Sequence, residues 1–183
     1  MAKRYCVPET YETKRLRLRR IALADAQSVF DSYAGDADVA RYTSWTPHQT
    51  VGETHSFIKR VLSQAENGQC FPMIVFAKAA LVQPIGVFEV NLHGSTADYG
   101  YVLSKIAWGL GYATEVLTSL IGHALSHPEI YRVEAFCNTQ NTASAKVMKK
   151  AGMTLEGTLR RHFIYPNLGP APGDSFLYAK VRP

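Results

Sequence analysis

Two glycines one residue apart, Gly109 and Gly111, sit in the string "AWGLGYATEV" (Ala107–Val116), directly ahead of an amphipathic run. A glycine at a loop-to-helix junction lets a bulky anion approach main-chain N–H groups, and the helix dipole adds partial positive charge there. The string therefore points first to a phosphate-bearing ligand. A P-loop needs GxxxxGK[ST], with a lysine for the terminal phosphates, and no such string occurs. A dinucleotide fingerprint needs GxGxxG or GxGxxA, whereas "GLGYAT" ends in Thr114. The preceding "ADYGYVL" also mixes polar residues into what should be a buried parallel strand. Glu134 lies near the acidic position of such a fingerprint, but inside a strand. A plain helix start with no ligand is the remaining structural alternative.

Other chemistry-bearing residues are weaker signals. His123 and His127 have metal-ligand spacing on one helix face, but "HALSH" lacks the glutamate of HExxH and ends at Pro128, so no metal is expected. Asn138, Asn141 and Ser144 are of turn and cap types. Lys146, Lys149 and Lys150 read as a solvated helix face, with Lys146 the one candidate for a phosphate contact. In "TKRLRLRR" (Thr13–Arg20), Leu16 and Leu18 alternate with arginines, the period of a strand with one buried face rather than a nucleic-acid stripe.

The elements that must position these residues follow from the periodicities. After the first strand, "ALADAQSVFDSYAG" has helical spacing and stops near Gly35, and a second helix runs from Thr50 to Asn67-Gly68. Between them lies "RYTSWTPHQ", an aromatic and polar loop resembling a lid or binding wall. "CFPMIVFAKAA", "PIGVFEVNL" and "TADYGYVLS" are strand-like and broken by turn residues, which suits an antiparallel meander. The pattern then changes to helix (Gly111–Ser126), strand ("YRVEAFCN"), helix (Thr142–Ala151) and two strands around "TLEGTLRRHFIY" and "DSFLYAKVR". The sum is a mixed α/β sheet in one domain spanning residues 1–183.

Composition sets the outer limits. The chain has 183 residues, 46% of them apolar, enough to bury a full core without staples. Three scattered cysteines, Cys6, Cys70 and Cys137, argue against a disulfide framework and a zinc ribbon and fit a reducing cytoplasm. "MAKRYCVPET" has no apolar run after its basic residues, and no stretch approaches a membrane span, so a soluble, unprocessed protein is expected. A net charge of +5 permits anionic partners without choosing among them.

A further phosphate motif fits better than the others. The coenzyme A pyrophosphate loop reads Q/R-x-x-G-x-G/A, and Trp108 to Ala113 match its glycine and alanine ends. The whole string "GYVLSKIAWGLGYATE" (Gly100–Glu115) resembles the GNAT N-acetyltransferases, specifically the RimJ/RimL branch that acetylates N-terminal amines of ribosomal proteins. Members of that branch read "GYxxxxxxWGxGYATE". "RLRLR", "RYTSWTP" with "ETHSFI", "YRVEAFCNTQNTASAKVMKKAGMTLEGTLR" and "GDSFLYAKV" match further, so the resemblance spans nearly the whole chain. Two departures stand out: Trp108 replaces the usual Gln or Arg of the loop, and Leu110 stands where the branch often has lysine. Main-chain amides must then carry most of the pyrophosphate binding.

The resemblance implies a GNAT fold: a mixed, mostly antiparallel sheet of six to seven strands flanked by helices, with a splayed central strand pair. It implies acetyl-coenzyme A as the acetyl donor, no metal, and direct attack by a primary amine in a ternary complex. The pantetheine arm would follow the strand edge at Val102 and Leu103, with an N–H near Leu103 polarising the acetyl carbonyl. Gly109, Leu110, Gly111, Tyr112, Ala113 and Thr114 would cradle the pyrophosphate beside Trp108. Asn138, Asn141, Ser144 and Lys146 are further candidate contacts. The tyrosine of "NxxAxxxY" is absent, because counting from Asn141 gives Ser144 and then Met148; Ser144 is the candidate donor to the leaving thiolate. Asp98 stands where relatives commonly have glutamate and is the candidate base, with Glu89 as the alternative. Tyr42, Trp45 and His93 are candidate acceptor contacts. The acceptor is expected to be a protein N-terminus, with a small-molecule amine as the alternative and a noncatalytic coenzyme A- or RNA-binding module more remote. Nucleic acid is expected only indirectly, at the ribosome, and a homodimer is an expectation because relatives often dimerise.

Overall fold

The computed structural model describes residues 5–182 apart from 67 and 69. Met1–Arg4 of the N-terminal stretch and Asn67 of the expected helix end lie outside the described residues. Among the described residues, eight strands form one sheet in the order β1-β2-β3-β4-β5-β6-β8-β7. They are β1 (Thr10–Glu12), β2 (Leu16–Arg20), β3 (Cys70–Ala77), β4 (Ala80–His93), β5 (Thr96–Leu103), β6 (Arg132–Asn138), β7 (Thr154–Ile164) and β8 (Pro172–Val181). Every neighbouring pair is antiparallel except β5 and β6. The expected mixed, mostly antiparallel sheet is present with one strand more than anticipated. The addition is β1, whose three residues are too few to show a period but pair with β2 across a tight turn.

Helices cover the two faces unequally. On one face lie α4 (Tyr112–Ser126) and α5 (Thr142–Lys150), and α4 buries Ala113, Val116, Leu117, Leu120, Ile121 and Ala124. That spacing is one helical stripe, and it packs on Phe88, Val90, Ala97, Tyr99, Val133 and Ala135 of the central strands. On the other face α1 (Ala26–Val29), α2 (Ala37–Ala40) and α3 (Val51–Glu66) build a second cluster, with Ile58 of α3 near Ile74 and Phe76 of β3. The first expected helix is broken: a 3₁₀ turn at Leu23–Asp25 leads into α1, and Phe30–Ala34 winds as a π turn. Side chains alternate between the faces of a strand, so Glu89, Asn91, Asp98 and Glu134 fall on the α3 side of the sheet.

The central pair is where the sheet opens. β5 and β6 pair only at Thr96↔Arg132, Ala97↔Val133 and Asp98↔Glu134. Beyond that point β5 stays paired to β4 as far as Leu103, while β6 stays paired to β8 as far as Asn138. Each strand is held on its outer side, and a wedge opens between them toward their carboxyl ends. A bulge in β4 shapes the β5 wall: register shifts lie beside Phe76, and Gly86 meets Val102 so closely that an added Cβ would stand 2.3 Å from the Val102 carbonyl oxygen. Gly86→Ala is expected to destabilise the protein by about 2–4 kcal/mol and to lower the melting temperature, because backbone cannot yield as a side chain does. Thermal denaturation of the variant checks this.

Candidate active site

The β5→α4→β6→α5 connection delivers two helix N-termini to the open end of the wedge. Ligands in open α/β sheets gather outside the carboxyl ends of parallel strands, and both ingredients of such a crevice are present here. At α4, Gly111 is the N-cap with φ 76°, and Gly109 has φ 73°. These left-handed conformations cost little only for glycine. No side chain caps α4, and its first bond runs from Glu115 N–H to the Gly111 carbonyl. The N–H groups of Tyr112, Ala113 and Thr114 are therefore without intrahelical acceptors. Among the described residues nothing lies within 4 Å of where a Gly109 Cβ would be, and the Arg15 guanidinium is near that of Gly111. A bare, uncapped helix N-terminus beside an open strand edge fits a pyrophosphate carried on a long arm.

Arg15, which sequence periodicity assigns to a solvated strand face, instead buttresses this loop. Its Nε donates to Glu115 at 2.6 Å and its Nη1 to the Leu110 carbonyl at 2.9 Å, while its guanidinium lies 4.6 Å from the Tyr112 ring centre. Thr13 Oγ1 and the Arg15 N–H also donate to Glu115, each at 2.7 Å. Glu115, the last letter of "GYATE", thus pins the chain before β2 to the glycine loop. The motif itself contains the glutamate, but its partner lies 100 residues away.

The wedge wall is built by β5. Ser104 N–H donates to the Ile85 carbonyl on β4, so the adjacent Leu103 N–H points the other way, toward the wedge. The Leu103 carbonyl is taken by Trp108 Nε1 at 2.7 Å, which gives Trp108 a part other than that of the Gln or Arg it replaces. Val102 turns its side chain to the α3 side of the sheet. Across the wedge, Asn141 caps α5 by accepting from Ser144 N–H at 3.1 Å, and Asn138 accepts from Gln140 N–H at 2.9 Å in the turn before it. Both asparagines therefore do local work. Lys146 is exposed on α5. Ser144 Oγ lies 2.8 Å from Tyr101 Oη, a partner that no spacing rule indicates. Cys137 also approaches Ser144, and burial pushes its thiol up to about 11, which leaves it neutral and a poor nucleophile.

On the opposite face, carboxylates line the strands below the wedge. Asp98 stands between Asn91 on β4 and Glu134 on β6, and Glu89 lies one diagonal step away, accepting from Asn91 Nδ2 at 3.1 Å. Arg132 donates to Glu134 at 2.7 Å and to Glu156 at 2.6 Å. Burial raises Asp98 to about 6, and the charges of Glu134 and Glu89 add to the rise against the opposing pull of Asn91 and His93. His93 sits exposed at the β4–β5 turn, at the far end from the wedge. Two loops on this side are tied together. Asn167 Nδ2 donates to the Ala40 and Trp45 carbonyls at 2.7 and 2.9 Å. Trp45 packs on His48 and Phe57, Tyr42 lies under Arg41, and His162 meets Phe136 edge-on at 4.7 Å.

Among the described residues no group of three or more His, Cys, Asp or Glu could hold a metal ion, and no helix is long and apolar enough to cross a membrane. With the geometry in place, comparison with known proteins gives a family. The model of the acetyltransferase (GNAT) domain matches residues 15–154, and the chain belongs to that family. The N-acetyltransferase p20 of Bacillus licheniformis is 30% identical over 154 residues, covering 83% of this chain and 86% of that protein. Two solved structures share the fold. RimL, a ribosomal alpha-N-protein acetyltransferase in complex with coenzyme A, superposes with a TM-score of 0.81 at 20% identity, covering 95% of this chain and 98% of its own. The microcin C7 self-immunity acetyltransferase MccE, in complex with acetyl-CoA and AMP, gives 0.84 at 22% identity, covering 96% and 97%. The protein is thus an N-acetyltransferase that draws its acetyl group from acetyl-coenzyme A.

The Asp98 environment predicts a pH signature in stability. Between about pH 4 and pH 6 the folded chain keeps a proton on Asp98 that the unfolded chain has lost, so this group makes stability fall as pH rises through that window. Asp98→Asn is expected to abolish that slope and to stabilise the protein at pH 7 by an amount on the order of 1 kcal/mol. Denaturant titrations at pH 5 and pH 7 measure both.

Proposed function

We propose that the wedge between β5 and β6 seats the acetyl-pantetheine arm and that the acceptor is the α-amine of a polypeptide N-terminus. The observation that carries this reading is the alignment, on one strand, of an inward N–H at Leu103 with Asp98 on the acceptor face. In this arrangement Leu103 N–H meets the oxygen that gains charge when the amine attacks the thioester, a task main-chain donors perform without reorganisation. The pyrophosphate rests on the Gly109–Thr114 amides, held in shape by Arg15 and Glu115. Asp98, raised toward neutrality by its surroundings, stands five residues, about 17 Å, along the strand from Leu103, so it takes the amine proton through a chain of several waters. Glu89 and Glu134 keep that face negative, which suits an incoming ammonium. Ser144 faces the leaving sulfur, and the neutral, buried Cys137 favours direct attack over an acyl-enzyme.

A second reading has its own support. The aromatic wall of Trp45, Tyr42, Phe136 and His162 could stack the ring of a small aminoacyl compound, and MccE, whose fold this chain shares, was solved with AMP. Coenzyme A thiol release, measured against N-terminal peptides of ribosomal proteins and against small amines and aminoacyl compounds, separates the two. Turnover with peptides at rates at least about tenfold above the small amines supports the peptide acceptor. Turnover confined to small amines overturns it and leaves the acetyl-donor site standing.

A further inference from the structure

The phenol of Tyr101 is the least expected polar group at the wedge. Its ring is stacked on Phe88 at 5.0 Å and 19°, which fixes the direction of the Cζ–Oη bond, and its oxygen ends 2.8 Å from Ser144 Oγ. The Ser144 carbonyl, at 3.3 Å, is the more distant partner. Ser144 N–H is committed to Asn141, which holds its backbone, and the hydroxyl hydrogen is placed by rotation about the Cβ–Oγ bond. We infer that Tyr101 is a positioning residue for acetyl transfer: its O–H donates to Ser144 Oγ and so turns the Ser144 hydroxyl hydrogen outward, toward the sulfur of the departing coenzyme. This inference rests on the proposed seat of the pantetheine arm in the wedge.

The direction of donation decides the function. If Ser144 donated to Tyr101, the serine would offer sulfur only lone pairs and would repel a developing thiolate. When Tyr101 donates, it occupies one of the two lone pairs of the serine oxygen and leaves the serine hydrogen free, and each bond in such a chain polarises the next. Tyr101 does not itself lose a proton. Burial lifts its phenol above the ordinary value, and a thiol ionises near ~8.5, so net transfer from phenol to thiolate would run uphill. The balance is therefore simple: the C–N bond forms, the C–S bond breaks with its electron pair going to sulfur, and the proton shed by the amine nitrogen is the one that finally neutralises the thiolate. Tyr101 and Ser144 hold the thiolate by hydrogen bonding until then. The arrangement also gives a physical reason why this chain does without the tyrosine of "NxxAxxxY": a phenol reaches the same place from β5 instead of α5.

The test does not require knowledge of the acceptor. The acidity of the coenzyme A thiol bound to the protein is read from thiolate absorbance across a pH titration, with desulfo-coenzyme A on the same protein as the blank. Four proteins are compared: wild type, Tyr101→Phe, Ser144→Ala and the double variant, each first shown by thermal melting to be folded and by calorimetry to bind coenzyme A. Tyr101→Phe should raise the thiol pKa by about one pH unit, corresponding to a tenfold loss of thiolate stabilisation, and Ser144→Ala by at least as much. The double variant should match Ser144→Ala alone, because a residue acting through another adds nothing once that other is gone. An unchanged thiol in Tyr101→Phe, or an equal rise with and without Ser144, overturns the positioning role while leaving the Ser144 reading intact. An unchanged thiol in Ser144→Ala overturns both. Failure of wild type to bind coenzyme A overturns the proposed seat itself.

Discussion

Three residue pairs of parallel sheet, Thr96↔Arg132 to Asp98↔Glu134, are the constraint on which the rest of this molecule depends. A fourth pair would begin to close the wedge from which the Leu103 N–H is reached. Where that pairing stops, each strand keeps its outer partner. β4 carries β5 onward along a continuous register, β8 does the same for β6, and the two outer registers diverge with the twist of the sheet. The bulge at Gly86 adds local bend where β5 must turn away. On the proposed reading, a site arises from a missing set of hydrogen bonds, and the exposed strand edges that would be a liability elsewhere are left to serve as donors and acceptors for a ligand's amides.

Parallel direction then matters as much as separation. Because β5 and β6 run the same way, the helices that follow them start at the same end, and α4 and α5 bring their N-termini to one mouth. The two N-termini are used differently. α4 is left uncapped, with glycines that expose its amides, so its positive end is available to an anion. α5 is capped by Asn141 and offers a hydroxyl instead. On the other face Glu89, Asp98 and Glu134 lie together, with Arg132 and His93 beside them. On the proposed reading, the amides that would hold the pyrophosphate and the carboxylates that would face the amine lie on opposite sides of a single strand layer.

Much of this is legible in the sequence. Strict alternation in β2 and the apolar stripe of α4 lead to the correct elements, because in each case one face is buried and the period survives. The glycine string leads to a bare, uncapped helix start, since both Gly109 and Gly111 take left-handed conformations there. What escapes is long-range or aperiodic. β1 is too short to carry a period, the first helix breaks into 3₁₀, α and π pieces for which no local signal exists, and Arg15 looks like one more strand arginine until the fold brings Glu115 to it. Tyr101 is hidden by its own regularity: it sits where an alternating strand wants an apolar residue, and only the arrival of α5 shows that its oxygen has a partner. Asn138 and Asn141 illustrate the converse, turn-forming residue types that the fold uses for turns.

The open edge of β5 and the bare N-terminus of α4, on the proposed reading, form one continuous binding surface for acetyl-coenzyme A. Amide hydrogen exchange, resolved by residue with and without coenzyme A, tests it most directly. Slowed exchange at Leu103 and at the Gly111–Thr114 amides, with β7 and α3 unchanged, is the expected result. Protection confined to other elements, or binding that leaves the Leu103 and α4 amides exchanging at their free rates, would contradict it.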